Sequence, residues 1–338
     1  MNRTLILAAL VVALLAAVFI LNRADGDSER GTHLVDERNF AIEDARDIGR
    51  IYIVDRDGNQ TDLRRSGDEW LLDGKYLTSE NTIKNLLDAV TRIELQTIPS
   101  YGGTRTLVEN IAANGIRVQV FDRSDNKMRG YYVGGATPNE LGTYVIMEEA
   151  EQPYIAHIPG WDGNLRFRFN LVGDDWRTKK YFQIDADDIQ SVSVEYPTER
   201  IRSFRLDRAE NGFLLAPFYN NTALPTRPIS KGQAEQYLVR LPKLYLNRYR
   251  NDQPEERAEF MQVMPFATIS VTKTDGESEV LKLFPNFHER TISVDSKTGE
   301  LIDEAPLAGY FALLNNDEDW VLFNQLNIEP LLLGYDAF

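Results

Sequence analysis

Phe40-Ala41-Ile42-Glu43, followed by Asp47-Ile48, returns as Phe182-Gln183-Ile184-Asp185, followed by Asp188-Ile189, at offsets of 142 and then 141. Self-similarity at a steady spacing is the signature of a repeated supersecondary unit, and the segments that follow keep the same order. Ile51-Tyr52-Ile53-Val54 and Val192-Ser193-Val194-Glu195 alternate with the period of two expected of strands. A second strand follows around Leu63 in one copy and Leu206 in the other. Trp70-Leu71-Leu72 then matches Phe213-Leu214-Leu215 at offset 143. Asp57-Gly58, Ser66-Gly67, Asp73-Gly74 and Asn211-Gly212 supply turns, because these residues tolerate positive φ.

Each copy then carries one helix, Ser79 to Ile93 and Ser230 to Leu244. Ser79 and Ser230 are N-cap residues. Behind them Ile83, Leu86, Leu87 and Val90 in one copy, and Ala234, Tyr237, Leu238 and Leu241 in the other, follow the spacing of a single buried stripe. These positions are 151 apart, the extra length entering as a loop from Pro217 to Pro228. Offset 151 continues through Ile116, Val118 and Val120 against Ala267, Ile269 and Val271, and through Tyr132-Val133 against Leu283-Phe284. Asp275-Gly276 reads as a hairpin turn. Tyr144 pairs with Tyr310, Tyr154 with Trp320, and Leu165, Phe167 and Phe169 with Leu331, Leu333 and Tyr335, all at 166, after a second insertion from Phe287 to Leu307. Two repeats are too few for a solenoid. The fold class that follows is α+β: two tandem, internally duplicated modules of antiparallel sheet with one main helix each, residues 40–180 and 181–338. The alternative is one larger antiparallel α+β domain.

Ahead of the modules, Thr4 to Leu21 is a run of 18 residues without charge, long enough for a spanning helix. It exceeds the apolar core of a cleaved signal peptide and runs through Phe19-Ile20-Leu21 into Asn22-Arg23-Ala24 without a small-x-small site. Residues 1–3 are read as a short cytoplasmic tail, 4–21 as a transmembrane signal anchor and 22–39 as a polar tether. Arg3 on one side faces Arg23, Arg30 and Arg38 on the other, so charge alone does not orient the segment. The very short tail favours a single-pass inner-membrane protein with its body on the periplasmic side.

The 338 residues carry a formal net charge of -15, which repels nucleic-acid phosphates and argues against that class of partner. With no cysteine, disulfides, thiol nucleophiles and zinc ribbons are excluded. The only histidines are His33, His157 and His288, too far apart in sequence for a local metal site, and no cofactor is expected. No phosphate-binding loop, HExxH pair or nucleophile elbow occurs. Asp55-Arg56-Asp57-Gly58-Asn59 begins like a calcium loop, but its glycine comes too early and the closing acid is missing; it reads as a hairpin turn. Gly102-Gly103 and Gly134-Gly135 read as loop or strand-end glycines without a following helix start, and His157 as a strand-end residue. Asp174-Asp175-Trp176-Arg177 sits at the module junction. Asp175, Trp176 and Arg177 are the candidate contact there, either with a partner, since Trp and Arg are favoured anchors, or between modules.

The order of elements, the single anchor, Trp70-Leu71-Leu72 followed by Tyr76 and a capped helix, and Tyr132-Val133-Gly134-Gly135 resemble the bacterial family labelled DUF4340. That resemblance covers most of the body and implies a membrane-anchored protein encoded near ABC-type or gliding-motility transport components; it carries over no catalytic residue. The function expected is a non-enzymatic, extracytoplasmic accessory or interaction protein of an ABC-type transport or envelope complex. The alternatives are an envelope glycan or small-ligand binder and a carboxylate-based hydrolase. The apolar run predicts that the mature chain keeps residues 1–21 and stays with membranes through carbonate washing. A soluble form beginning near Asn22 to Asp25 would defeat that expectation.

Overall fold

The computed structural model describes residues 38–288, 291–294, 301–314 and 317–338. The expected anchor and nearly all of the tether lie outside these residues, and among the described residues no helix is long and apolar enough to cross a membrane. The chain divides between Arg177 and Thr178 into two compact units.

In the first unit the alternating segments become β1 (Ile48–Val54), β2 (Gln60–Ser66), β3 (Glu69–Leu72) and β4 (Tyr76–Leu77). Helix α1 (Glu80–Arg92) leads to β5 (Glu94–Thr97) and a second helix, α2 (Thr104–Asn114). The unit closes with β6 (Ile116–Asp122), β7 (Lys127–Ala136), β8 (Thr143–Met147) and β9 (Tyr154–His157). These strands form one antiparallel sheet in the order β4-β3-β2-β1-β6-β7-β8-β9-β5. One face buries Ile51, Ile53, Leu63, Leu72, Val118, Val120 and Val133 with Ile83, Leu86, Ala89 and Val90 of α1. The Ser79 hydroxyl accepts from Thr82 N–H and caps α1, as its position predicts.

The second unit contains β10 (Ile189–Glu195), β11 (Phe204–Ala209), β12 (Gly212–Pro217), β13 (Arg227–Ile229), α3 (Lys231–Leu238) and β14 (Arg248–Tyr249). Helix α4 (Pro254–Phe260), β15 (Ala267–Lys273) and β16 (Ser278–Phe287) follow. A separate hairpin of β17 (Thr291–Val294) and β18 (Leu301–Glu304) precedes β19 (Leu307–Leu314), β20 (Asp319–Asn324) and the short α5 (Gln325–Ile328). The main sheet runs β13-β12-β11-β10-β15-β16-β19-β20-β14, which is the order of the first sheet element for element. The inserted hairpin β17–β18 falls within the segment from Phe287 to Leu307 that the sequence marks as extra. The fold is α+β, with two nine-stranded antiparallel sheets in tandem.

Strand register corrects three of the sequence matches. Val118 pairs with Ile53 and Tyr131, while Ile269 pairs with Val194 and Leu281. Val118 therefore corresponds to Ile269 at 151, as expected, but Tyr131 corresponds to Leu281 at 150. The lost residue is a bulge: the β6–β7 register shifts between Val120↔Arg129 and Phe121↔Lys127, leaving Met128 as the extra residue. Further on, Val133 pairs with Val145 and Leu283 with Ala312, an offset of 167. At that spacing Tyr310 answers Thr143 and Val321 answers Tyr154, not Tyr144 and Trp320 respectively. Trp320 packs in a separate cluster, apart from the main core that holds Val321 and Phe323; matching apolar letters one residue out of step sends the side chain to the other face.

Two helix expectations also change. α3 stops at Leu238 and is continued by a 3-10 turn, Leu241–Lys243, because Pro242 has no N–H to donate to the Leu238 carbonyl. Each unit also has a second helix, where one was expected. α2 buries only Ile111 and α4 spans only 7 residues, so neither writes an apolar stripe of readable length. Gly103, placed in a loop by the sequence reading, is the N-cap position of α2.

The sheets are blunt at their edges. β4 and β14 are two residues long, β13 contains Pro228, and β5 shifts register between Leu95 and Thr97, all of which discourage further strand pairing.

One device is built twice from arginines that share the parity of the buried residues on their strands, Arg65 with Thr61 and Leu63 and Arg208 with Phe204 and Leu206. Arg65 donates from Nε to Ile48 O (2.9 Å) and from Nη2 to Ala45 O (2.8 Å), with its guanidinium 5.0 Å from the Trp70 ring centre. Arg208 donates to Ile189 O (2.9 Å) and Ala186 O (3.1 Å) and lies 5.0 Å from the Phe213 ring. Each guanidinium holds the turn that opens its module against the second and third strands. Replacing Arg65 or Arg208 by Met keeps the stem and removes charge-assisted hydrogen bonds of about 1.5–3 kcal/mol. Each variant is expected to speed amide exchange in its own opening turn, Ala45 to Ile48 or Ala186 to Ile189, and to leave the other unit's turn unchanged.

Candidate functional site

The faces turned away from the main cores are where the two units part company. In the first, Gly134 of β7 leaves room for α2: a Cβ added there would stand 2.8 Å from Ile111 Cγ1. Beside this seat the face is polar. The Glu148 carboxylate accepts from Arg117 Nε (2.7 Å), Gln119 Nε2 (2.9 Å) and Lys127 Nζ (2.9 Å), and it lies over Gly130, where a Cβ would clash with it at 2.1 Å. Burial alone would raise the Glu148 pKa, but the hydrogen bonds from Lys127, Arg117 and Gln119 outweigh burial and hold it below the usual carboxylate value.

In the second unit the residue after Leu283 in the same register is Phe284, and the face is aromatic. Phe284, Leu313 and Trp320 are buried there with Phe260 and Phe311 packed against them. Phe260, the last residue of α4, lies 5.0 Å from Trp320, 5.3 Å from Phe284 and 5.5 Å from Phe311, centre to centre. α4 starts at Pro254, where the missing N–H needs no partner, and carries Glu255 and Glu256 in its first turn. Glu256 then fixes it sideways. Its carboxylate accepts from Arg250 Nε (2.8 Å) and Nη2 (3.0 Å) and from Trp320 Nε1 (2.8 Å). Asn251 accepts from Trp320 N–H at 2.8 Å and donates to Asp319 at 2.9 Å, and Arg257 donates to the Asp317 carbonyl.

Beyond Phe260 the backbone stays held, with Met261 N–H donating to Arg257 O (3.0 Å) and Val263 N–H to Phe260 O (3.1 Å). Yet Met261, Val263 and Met264 are 53, 54 and 66% exposed. Single exposed apolar residues are ordinary; three within four positions, on a turn clamped from below, form a small apolar surface. Exposed Asp252, Glu255 and Glu259 precede it in the chain. Among the described residues Glu255 and Glu259 make no ion pair. A second exposed group lies elsewhere on this unit: Phe218 and Ile201 are open, the Phe218 and Tyr219 rings are 5.1 Å apart, and Arg200 lies 4.9 Å over Tyr219.

The candidates named from sequence fall as follows. Trp176 is fully buried in the first unit's core and donates from Nε1 to Leu171 O at 2.9 Å, so its indole offers no surface to a partner. Arg177 is buried as well, bonded to Asp174 at 3.0 Å and stacked 3.9 Å over Tyr76, and Asp175 is exposed. Asp55 accepts from Asp57 N–H and Asn59 N–H, both at 2.9 Å, the closed hairpin turn expected, and Asp122 repeats it with Ser124 and Asn126. His157 is the last residue of β9, paired with Glu94. No group of three metal-ligating side chains occurs among the described residues. Among the described residues every carboxylate whose pKa is displaced, Asp44, Asp55, Asp88, Asp122 and Glu148, is displaced downward, the opposite of what a general acid needs.

Comparison with protein-family models, curated proteins and solved structures finds no match. The methionine turn and the aromatic seat beneath it were missed in the sequence because their parts lie on four separate elements. The readable signal was Phe260-Met261-Gln262-Val263-Met264, an apolar run outside any strand period.

The Glu148 network makes a pH prediction. A folded pKa below the unfolded value contributes stability that is present above the unfolded pKa and lost as pH falls through the folded one. Glu148→Gln is therefore expected to lower the first unit's Tm by about 2–4 °C at pH 7, with the deficit closing as the pH is taken down through the usual carboxylate range and below it. A deficit that stays constant over that titration would show that the charge contributes nothing.

Proposed function

We propose that this chain is a membrane-tethered accessory protein whose body, outside the cytoplasm, holds a protein partner and performs no chemistry of its own. The observation that carries this reading is the clamped turn Met261 to Met264. It displays apolar side chains on a base of four packed aromatic residues and Leu313, so little ordering free energy is lost when a partner covers it. The apolar run Thr4 to Leu21 supports the tether, and the resemblance to DUF4340 supports a transport or envelope complex as the setting.

The test is affinity purification of the full-length chain from native membranes, beside the variant Met261→Gln, Val263→Ser, Met264→Gln. The native chain is expected to recover a reproducible partner and the variant to lose it. A hydrolytic turnover abolished by replacing one carboxylate would overturn the proposal, as would a native chain that recovers nothing.

One observation favours a second reading, an envelope glycan binder: the exposed group of Arg200, Ile201, Phe218 and Tyr219, since aromatic faces stack on apolar faces of ligands. On that reading Phe218→Ala weakens retention on envelope polysaccharide while the methionine variant does not.

A further inference from the structure

Resting on the partner-holding reading above, we infer that the methionine turn of the second unit receives a cationic amphipathic helix of the partner. The apolar part of the recognition comes from Met261, Val263 and Met264, exposed by half or more. Methionine thioethers are flexible and polarizable, and they fit the varied aliphatic side chains along a helix stripe. The charge comes from exposed Glu255 and Glu259 of α4, the helix that leads into the turn, and from Asp252 just ahead of it. Glu256, by contrast, is committed to Arg250 and Trp320, and Arg257 to Asp317. Apart from the neutral amides Gln253 and Gln262, the exposed side chains of this stretch are apolar or acidic, and an incoming segment matched to both has Lys or Arg beside an apolar stripe.

Backbone geometry selects the helix over an extended strand. Met261, Gln262 and Val263 spend their N–H groups on Arg257, Glu259 and Phe260 carbonyls, and Phe266 N–H on Leu283 O. No row of amides is free for strand addition at the turn, so the partner must be read through side chains, as in helix-on-groove recognition. The first unit carries no counterpart: α2 ends at Asn114 and Gly115 leads directly into β6, and the seat is Gly134 where the second unit has Phe284.

The experiment uses the full-length chain in phosphatidylcholine nanodiscs, with empty nanodiscs as baseline. The probe is a fluorescent helical Leu/Lys peptide with its leucines in one stripe, read by anisotropy. Controls are the same composition scrambled to break the stripe, and a striped Leu/Glu peptide. The striped Leu/Lys peptide is expected to bind, to weaken at least about tenfold with Met261→Gln, Val263→Ser, Met264→Gln, and to lose part of its salt dependence with Glu255→Gln, Glu259→Gln. Equal binding of the scrambled peptide, binding of the Leu/Glu peptide, or variants that bind like the native chain would overturn the inference. The membrane purification separates the two levels. If the methionine variant loses its natural partner while the striped peptide is indifferent to it, the cationic helix is wrong and the partner-holding reading stands. If the native chain recovers no partner, that reading itself fails.

Discussion

Burial of one face of each nine-stranded sheet under a single amphipathic helix is the constraint on which the rest depends. Each fully buried Val, Leu or Ile contributes about 1.5–3 kcal/mol relative to exposure. The main cores gather such residues from the central strands, where Ile51, Ile53, Val118 and Val120 in one unit answer Val192, Val194, Ile269 and Val271 in the other. With helix and sheet centre committed, the opening segment is drawn in as well: Phe40 and Ile42, or Phe182 and Ile184, complete each core. Arg65 and Arg208 then lock the turn between that segment and the first strand.

The opposite faces are free of this constraint, and there the copies differ in kind. Glycine at position 134 lets a helix settle directly on the strand, and charged and amide side chains around Glu148 occupy the neighbouring surface. Phenylalanine at position 284 forbids so close a seat, and aromatic rings fill the gap between sheet and helix. The size of the residue at these equivalent points thus goes with a polar face in one unit and an aromatic one in the other. The aromatic face in turn carries the exposed methionine turn.

The duplication and the antiparallel sheets were legible because period-two alternation, turn glycines and the two N-cap serines all point the same way, while the strand order within each sheet was not. The order of matched segments carried most of the case for duplication. Register beyond the central strands was not legible. A bulged residue such as Met128 has no letter of its own, and Trp320 beside Val321 shows two apolar neighbours facing opposite ways. Helices α2 and α4 escaped because each sets only one main apolar residue against the sheet, buried Ile111 or partly buried Phe260, and one contact has no period. Arg65 and Arg208 escaped for a different reason: arginine in a strand reads as solvated, although both keep the offset of Trp70 and Phe213, the rings they cover. Asp175, Trp176 and Arg177 drew notice for their composition, and composition does not distinguish an anchor aimed outward from one folded into its own core.

The blunt sheet edges have a consequence for how any partner is chosen. A long free edge accepts nearly any extended chain, since backbone amides are the same in every sequence. With two-residue strands, a proline and a register shift at the rims, that promiscuous route is closed. Discrimination then rests with side chains alone, which makes the choice of partner something that a handful of point substitutions can redirect without disturbing either sheet.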